Sequence, residues 1–153
     1  MNETKKIKYR KGYKYQLAKD YETKIGIILG YPIITDFICL YATGYLVIKK
    51  GYAWDGASGP GIDTKNILRG SLVHDAIYQL IRQGLNLGFR EQADKELKRI
   101  FLEDSWEINK KKKFSRTRQK CSEVRAWWVY RAVRGFAKEA ALPENRKKIL
   151  VAP

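Results

Sequence analysis

Apolar and polar residues alternate at the start of the chain. Ile7 and Tyr9 alternate with basic residues, and Tyr13, Tyr15 and Leu17 repeat the pattern. A period of two is that of a strand with one buried face, and it predicts β structure over residues 5–50. Lys19-Asp20 reads as a turn, and the short apolar run Ile25–Leu29 is broken by Gly30-Tyr31-Pro32. Ile33-Ile34 and Phe37–Leu40 read as strand, Ala42-Thr43-Gly44 as a turn and Tyr45–Ile48 as the returning strand. Antiparallel hairpins therefore lead the chain to Gly51.

The period then changes. Gly56, Gly59, Pro60 and Gly61 make a loop. Asp63 or Thr64 is placed to cap a helix running to about Arg82. Along it Ile67, Ser71, His74, Tyr78 and Ile81 form one stripe at helical spacing. Gly84 and Gly88 bracket the next turn. A second helix is predicted from about Arg90 to Glu103, with Ala93, Asp94, Leu97, Ile100 and Phe101 on its apolar side. The short turn makes the pair antiparallel. His74 and Asp94 stand ten residues either side of Gly84, within reach of each other across the hairpin. Residues 106–120 read as a basic connector. A third helix is predicted from Arg116 to Leu142, stopped by Pro143, with Cys121, Val124, Trp128, Ala132 and Phe136 as its apolar stripe. Trp127 and Trp128 read as core anchors. The basic residues on the other side would also suit a helix lying on a membrane.

These elements make an α+β domain over residues 1–153. Residues 1–50 form the β region, 51–105 the motif loop and antiparallel helix pair, 106–120 the connector and 116–142 the last helix. A chain of 153 residues that is 44% hydrophobic is long enough for one real core. No apolar run approaches the roughly 20 residues that span a bilayer. The N-terminus is basic without an apolar stretch, so it is not a secretory signal. Cys39 and Cys121 match no metal spacing and read as buried free thiols in a reducing cytosol.

The net charge of +15 is uneven. Residues 1–20 carry seven Lys or Arg against two acids, and residues 109–148 carry fourteen against three. Residues 51–105 carry seven against eight, so a near-neutral centre lies between two basic flanks. Such flanks suit nucleic acid, an anionic membrane surface or an acidic protein partner. The tyrosines of the hairpins could stack on bases, although packing on a sheet face is the commoner role.

His74 is the only histidine and the natural general base near neutral pH. Asp94 is placed to hold its second ring nitrogen, as in a catalytic triad without the serine. An inward aspartate needs such a partner, because burying an unpaired charge costs several kcal/mol. Asp75 is turned about a hundred degrees from His74 on the helix and would face the glycine-rich loop, a setting for a hard cation such as calcium. The competing reading makes His74–Asp94 a buried structural pair. A transition-metal site using Asp55, His74, Asp75 and Asp94 ranks last, since one histidine with carboxylates is a poor zinc set. Asp55 between Trp54 and Gly56 reads first as a turn residue. Ser58 lacks the strand–elbow–helix setting of a nucleophile.

Two resemblances sharpen this. GYAWDGASGP, RGSLVHDAIYQL, REQAD and VRAWWVYRAVRGF, in that order over roughly residues 40–137, resemble a family of small phage and prophage proteins of unassigned function. The same blocks resemble the phospholipase A2 pattern, most closely its parvovirus capsid-associated form. There a Gly-Pro-Gly calcium loop precedes a helix bearing His-Asp-x-x-Tyr and a helix bearing Ala-Asp. Gly59-Pro60-Gly61, His74-Asp75 with Tyr78, and Ala93-Asp94 stand at those places, and Phe101 follows as in the secreted enzymes. The resemblance implies His74 as base, Asp94 as its orienting partner, Asp75 with the carbonyls of Gly59 and Gly61 as calcium ligands, and Tyr78 as a hydrogen-bonding support.

The expected function is thus a calcium-assisted hydrolase of a lipid or other ester, drawn to anionic membranes by its flanks. The alternative is a non-enzymatic virion or interaction protein that binds nucleic acid or a host or virion protein. The expected location is the host cytoplasm or the virion.

Overall fold

The computed structural model describes residues 9–10, 14–56 and 64–145. Tyr15 and Leu17 are buried and Gln16 between them is exposed, as alternation requires. Strand β1 (Tyr9–Arg10), β2 (Tyr15–Leu17) and β7 (Ala53–Trp54) form an antiparallel sheet in the order β1-β2-β7. Strands β3 (Tyr21–Lys24), β4 (Ile33–Ile34), β5 (Ile38–Leu40) and β6 (Tyr45–Ile48) form a second one, in the order β3-β6-β5-β4. Ile7 and Tyr13 lie outside the described residues.

The hairpin of β5 and β6 is the expected one, and Gly44 in its turn adopts φ +79°. A Cβ there would stand 2.6 Å from the Ile25 carbonyl oxygen, so the turn requires glycine. The Ile25–Leu29 run joins no ladder. It follows β3 with alternating burial, held by bonds from Ile25 N to Gly44 O and from Leu29 N to Ala42 O. The strand on that side is Tyr21–Lys24, whose buried Tyr21 and Thr23 alternate with exposed Glu22 and Lys24.

Helix α1 (Lys65–Arg82) has Thr64 at its N-cap. The Thr64 hydroxyl bonds the Asn66 side chain and not the helix backbone, and Asp63 lies outside the described residues. All five residues of the predicted stripe are buried. The chain leaves α1 through Gly84 at φ +118° and a 3-10 turn at Leu87–Phe89, then enters α2 (Arg90–Lys111). The two helices run antiparallel, as the short connection demands.

The expected connector over 106–120 is mostly helix. α2 continues to Lys111, and α3 (Arg116–Phe136) begins five residues later. Two local causes account for this. Ser105 and Asn109 stay buried at helical spacing, and Lys110 and Lys111 sit in the last turn, where cations suit the helix dipole. Asn109 then shapes the tight turn, donating to Ser115 O and accepting from Ser115 N and Arg118 Nη1.

α3 ends at Phe136, short of the expected Leu142. Arg90 Nη2 donates to the carbonyls of Val133 and Arg134 and so closes the helix end. The chain then folds back through a 3-10 turn at Glu139–Ala141, burying Ala141 in the core while Arg82 Nη1 donates to Ala140 O.

The facing of α3 also departs from expectation. Ala126 is its one fully buried side chain, and it packs with Ile67, Leu97 and Phe101. Val129 and Val133 lean on the same cluster. The expected stripe of Cys121, Val124, Trp128, Ala132 and Phe136 faces solvent, apart from half-buried Ala132, and Trp127 is exposed as well. Small side chains let α3 approach α2, and the tryptophans are left outside. Of the two free thiols, Cys39 is buried as expected and Cys121 is exposed.

Candidate functional site

The site begins with the crossing of α1 and α2. At Gly70 an added Cβ would stand 3.0 Å from Leu97 Cδ1 and 3.1 Å from the Leu97 carbonyl oxygen. The α2 backbone therefore passes close to α1 at a point where α1 has no side chain. His74 lies one turn beyond Gly70, and Asp94 lies one turn before Leu97 on the antiparallel partner. The crossing thus brings the two onto the same level.

His74 Nε2 stands 2.8 Å from Asp94 Oδ1. Asp94 is wholly buried and accepts three bonds. His74 and the Tyr78 hydroxyl, at 2.7 Å, share Oδ1, while Arg134 Nη1 from α3 reaches Oδ2 at 3.2 Å. Tyr78 in turn accepts from Arg90 Nε at 3.1 Å. Its ring lies against the imidazole, with centroids 4.1 Å apart. The expected contact of His74 with Asp94, and the support from Tyr78, are both present. Arg90 and Arg134 were not anticipated. The need of a buried carboxylate for cationic partners was the available signal, but nothing in a chain so rich in Lys and Arg singles these two out.

Asp75 Oδ1 lies 3.6 Å from His74 Nδ1, beyond a direct hydrogen bond. This carboxylate therefore stands beside the second ring nitrogen, closer to His74 than its place on the helix suggests. Trp54 Nε1 donates to Ser71 Oγ at 3.2 Å and ties β7 to α1. That bond brings Asp55 and Gly56 to the wall of a cleft of 520 Å³, shared with His74 and Asp75. Arg82 and the α3 end at Phe136 complete its rim.

The electrostatics favour an ion pair. Burial pushes the His74 imidazole toward neutrality. The nearby Asp75 carboxylate, the hydrogen bond to Asp94 and the charge of both outweigh it and raise the pKa above 6.5. Burial pushes Asp94 up, but the bonds from His74, Tyr78 and Arg134 and the His74 charge hold it below 3.8. Burial, followed by the bond to Asp94, raises the Tyr78 phenol, so it stays a donor. When His74 is neutral, ionised Asp94 can only accept, so the proton sits on Nε2. The lone pair is then on Nδ1, beside Asp75.

Calcium would have to be held by the cleft carboxylates and the loop. Asp55 and Asp75 both line the cleft. Among the described residues, however, no group of three or more His, Cys, Asp or Glu side chains is placed to hold a metal ion. Gly59 and Gly61, together with Ser58, lie outside the described residues. Among those residues, too, no helix is long and apolar enough to cross a membrane. No family model, curated protein or solved structure matches the chain.

Proposed function

We propose that the His74–Asp94 pair is the catalytic centre of a hydrolase acting on a lipid or related ester, in a protein of the phage type that its sequence blocks resemble. One observation carries the reading. The imidazole is fixed through Nε2 by a buried carboxylate at 2.8 Å, which leaves Nδ1 beside Asp75, and both residues line a 520 Å³ cleft. A merely structural histidine has no need of a cleft beside it.

In this reading water bonded to Nδ1 attacks the ester carbonyl as His74 takes its proton. Asp94 stabilises the imidazolium that forms, and Tyr78 and Arg134 hold Asp94 still. The ester C–O bond then breaks, and His74 returns the proton to the departing alkoxide. The cleft suits an amphiphile. Trp54, Leu97, Val133 and Ala137 give it apolar wall, and Arg82 places a cation at its edge. Calcium at Asp75 and Asp55, with the loop, would supply polarisation of the carbonyl, and its binding is a separate test below.

The deciding experiment is hydrolysis of short-chain phospholipid by wild type and His74→Ala, with circular dichroism to check the fold. The expected result is turnover by wild type and its loss in the folded variant. Equal turnover in both would overturn the reading. Absence of turnover in wild type across lipid and simple esters would leave His74–Asp94 a structural pair in a basic interaction protein.

A further inference from the structure

We propose that the outer face of α3 docks on an anionic lipid bilayer and leads to the mouth of the His74 cleft. The face is apolar yet uncovered by the described residues. Val124 is 58% exposed, Trp127 47%, Trp128 63% and Phe136 85%. Val124, Trp128, Ala132 and Phe136 follow one another at four-residue spacing, a strip roughly 18 Å long on a straight helix. Its far end, Phe136, is also part of the cleft rim. Surface and cleft are therefore continuous, and Phe136, the most exposed large hydrophobic side chain among the described residues, sits where they join.

Charge identifies the occupant. α3 carries Arg116, Arg118, Lys120, Arg125, Arg131 and Arg134 against Glu123 alone. Arg116, Lys120 and Arg125 border the same shallow depression as Val124 and Trp128. The Arg131 guanidinium lies 5.7 Å from the Trp127 ring centre. A second copy of this chain would set two such basic faces against each other within a net charge of +15 each. Nucleic acid would answer the cations but gives Val124 and Phe136 no apolar medium. An anionic bilayer answers both, taking tryptophan and aliphatic groups at its interface while headgroups meet the cations.

Docking stands on the α3 surface alone. The delivery of lipid to His74 rests on the hydrolase reading above. The two are separated by using diether lipids, which have no ester to cleave. Wild type should co-sediment with diether phosphatidylcholine–phosphatidylglycerol vesicles and much less with phosphatidylcholine alone. His74→Ala should bind equally well. Trp127→Ala with Trp128→Ala should weaken partitioning roughly tenfold or more. Replacing Lys120 and Arg131 by Gln should cost about fivefold each. Brominated acyl chains should quench wild-type tryptophan fluorescence, a readout that needs no variant.

Three results would overturn the proposal: wild type left in the supernatant with anionic vesicles at low salt, undiminished partitioning by the folded tryptophan variant, or duplex DNA bound where vesicles are not. If docking is as expected but ester lipids are not cleaved, the surface stands and the hydrolase reading falls. If both hold, the tryptophan variant should lose activity on vesicles and keep it on dispersed short-chain ester.

Discussion

His74 Nε2 and Asp94 Oδ1 are 2.8 Å apart across the α1–α2 crossing, and the carboxylate has no exposure to solvent. This contact sets the tautomer of the ring. Asp94→Asn keeps the shape but can turn an amide N–H toward Nε2, placing the imidazole proton on Nδ1. Turnover should fall roughly a hundred- to ten-thousand-fold, with the fold retained. Steady-state kinetics on short-chain ester would check this, and a loss of less than about threefold would speak against an orienting role.

The same pair makes stability, and the proposed hydrolysis, depend on pH. The base must be neutral, and its pKa lies above 6.5, so the acid limb of kcat/KM should fall above pH 6.5. For stability, a group with a raised folded pKa contributes fully below its unfolded value and loses that contribution as pH rises through the folded one. The His74 share should therefore be complete below pH 6.5 and fade on the alkaline side. Asp94 has a lowered pKa, so its share is present above 3.8 and fades as pH falls through the folded value. Urea unfolding between neutral and mildly alkaline pH should show the first decline in wild type and not in His74→Gln.

Arg90 joins three elements, donating to Tyr78 Oη and to the α3 carbonyls of Val133 and Arg134. Arg90→Met would leave those acceptors without this partner at a half-closed helix end. The expected cost is about 1–3 kcal/mol of stability. Chemical denaturation would measure it, and an unchanged midpoint would mean that water serves these carbonyls equally well.

Gly70 sets the distance between α1 and α2. In Gly70→Ala the new methyl would meet the Leu97 carbonyl oxygen at 3.1 Å. Helix propensity gains about 1 kcal/mol while crowding costs about 1–3 kcal/mol. The net change in stability should be a small loss. The larger effect should be on turnover, because His74 and Asp94 sit one turn from the point of separation. A variant as active as wild type would show that the crossing relaxes without disturbing the pair.

Calcium binding is expected to need Asp75. Calorimetric titration should give heat with wild type and none with Asp75→Asn. No heat from wild type would end the calcium expectation and leave His74 to act on water without an ion.

The helix pair was legible because its evidence is local. A stripe at helical spacing, a glycine turn and an inward aspartate give two antiparallel helices with His74 facing Asp94. The lysine run at 110–113 misled for a related reason. Charge alone resembles a linker, whereas Lys110 and Lys111 finish α2 as favourable C-terminal cations. The end of α3 was hidden because Arg90, forty-three residues before Val133, closes it.

α3 shows most clearly what sequence leaves open. Its pattern offers two faces, one rich in tryptophan and one lined by Ala126, Val129 and Val133. Hydrophobicity favours burying the first, and the structure buries the second. The sequence by itself determined the α+β order, the antiparallel helices and the His74–Asp94 pairing, since period and turn chemistry act over short stretches of chain. Only the tertiary structure decided which side of α3 meets solvent, that Arg90 and Arg134 complete the buried network, and that Phe136 stands at the cleft mouth. Those outcomes depend on close packing between distant segments, where the small residues of α3 fit against α2 and the tryptophans do not.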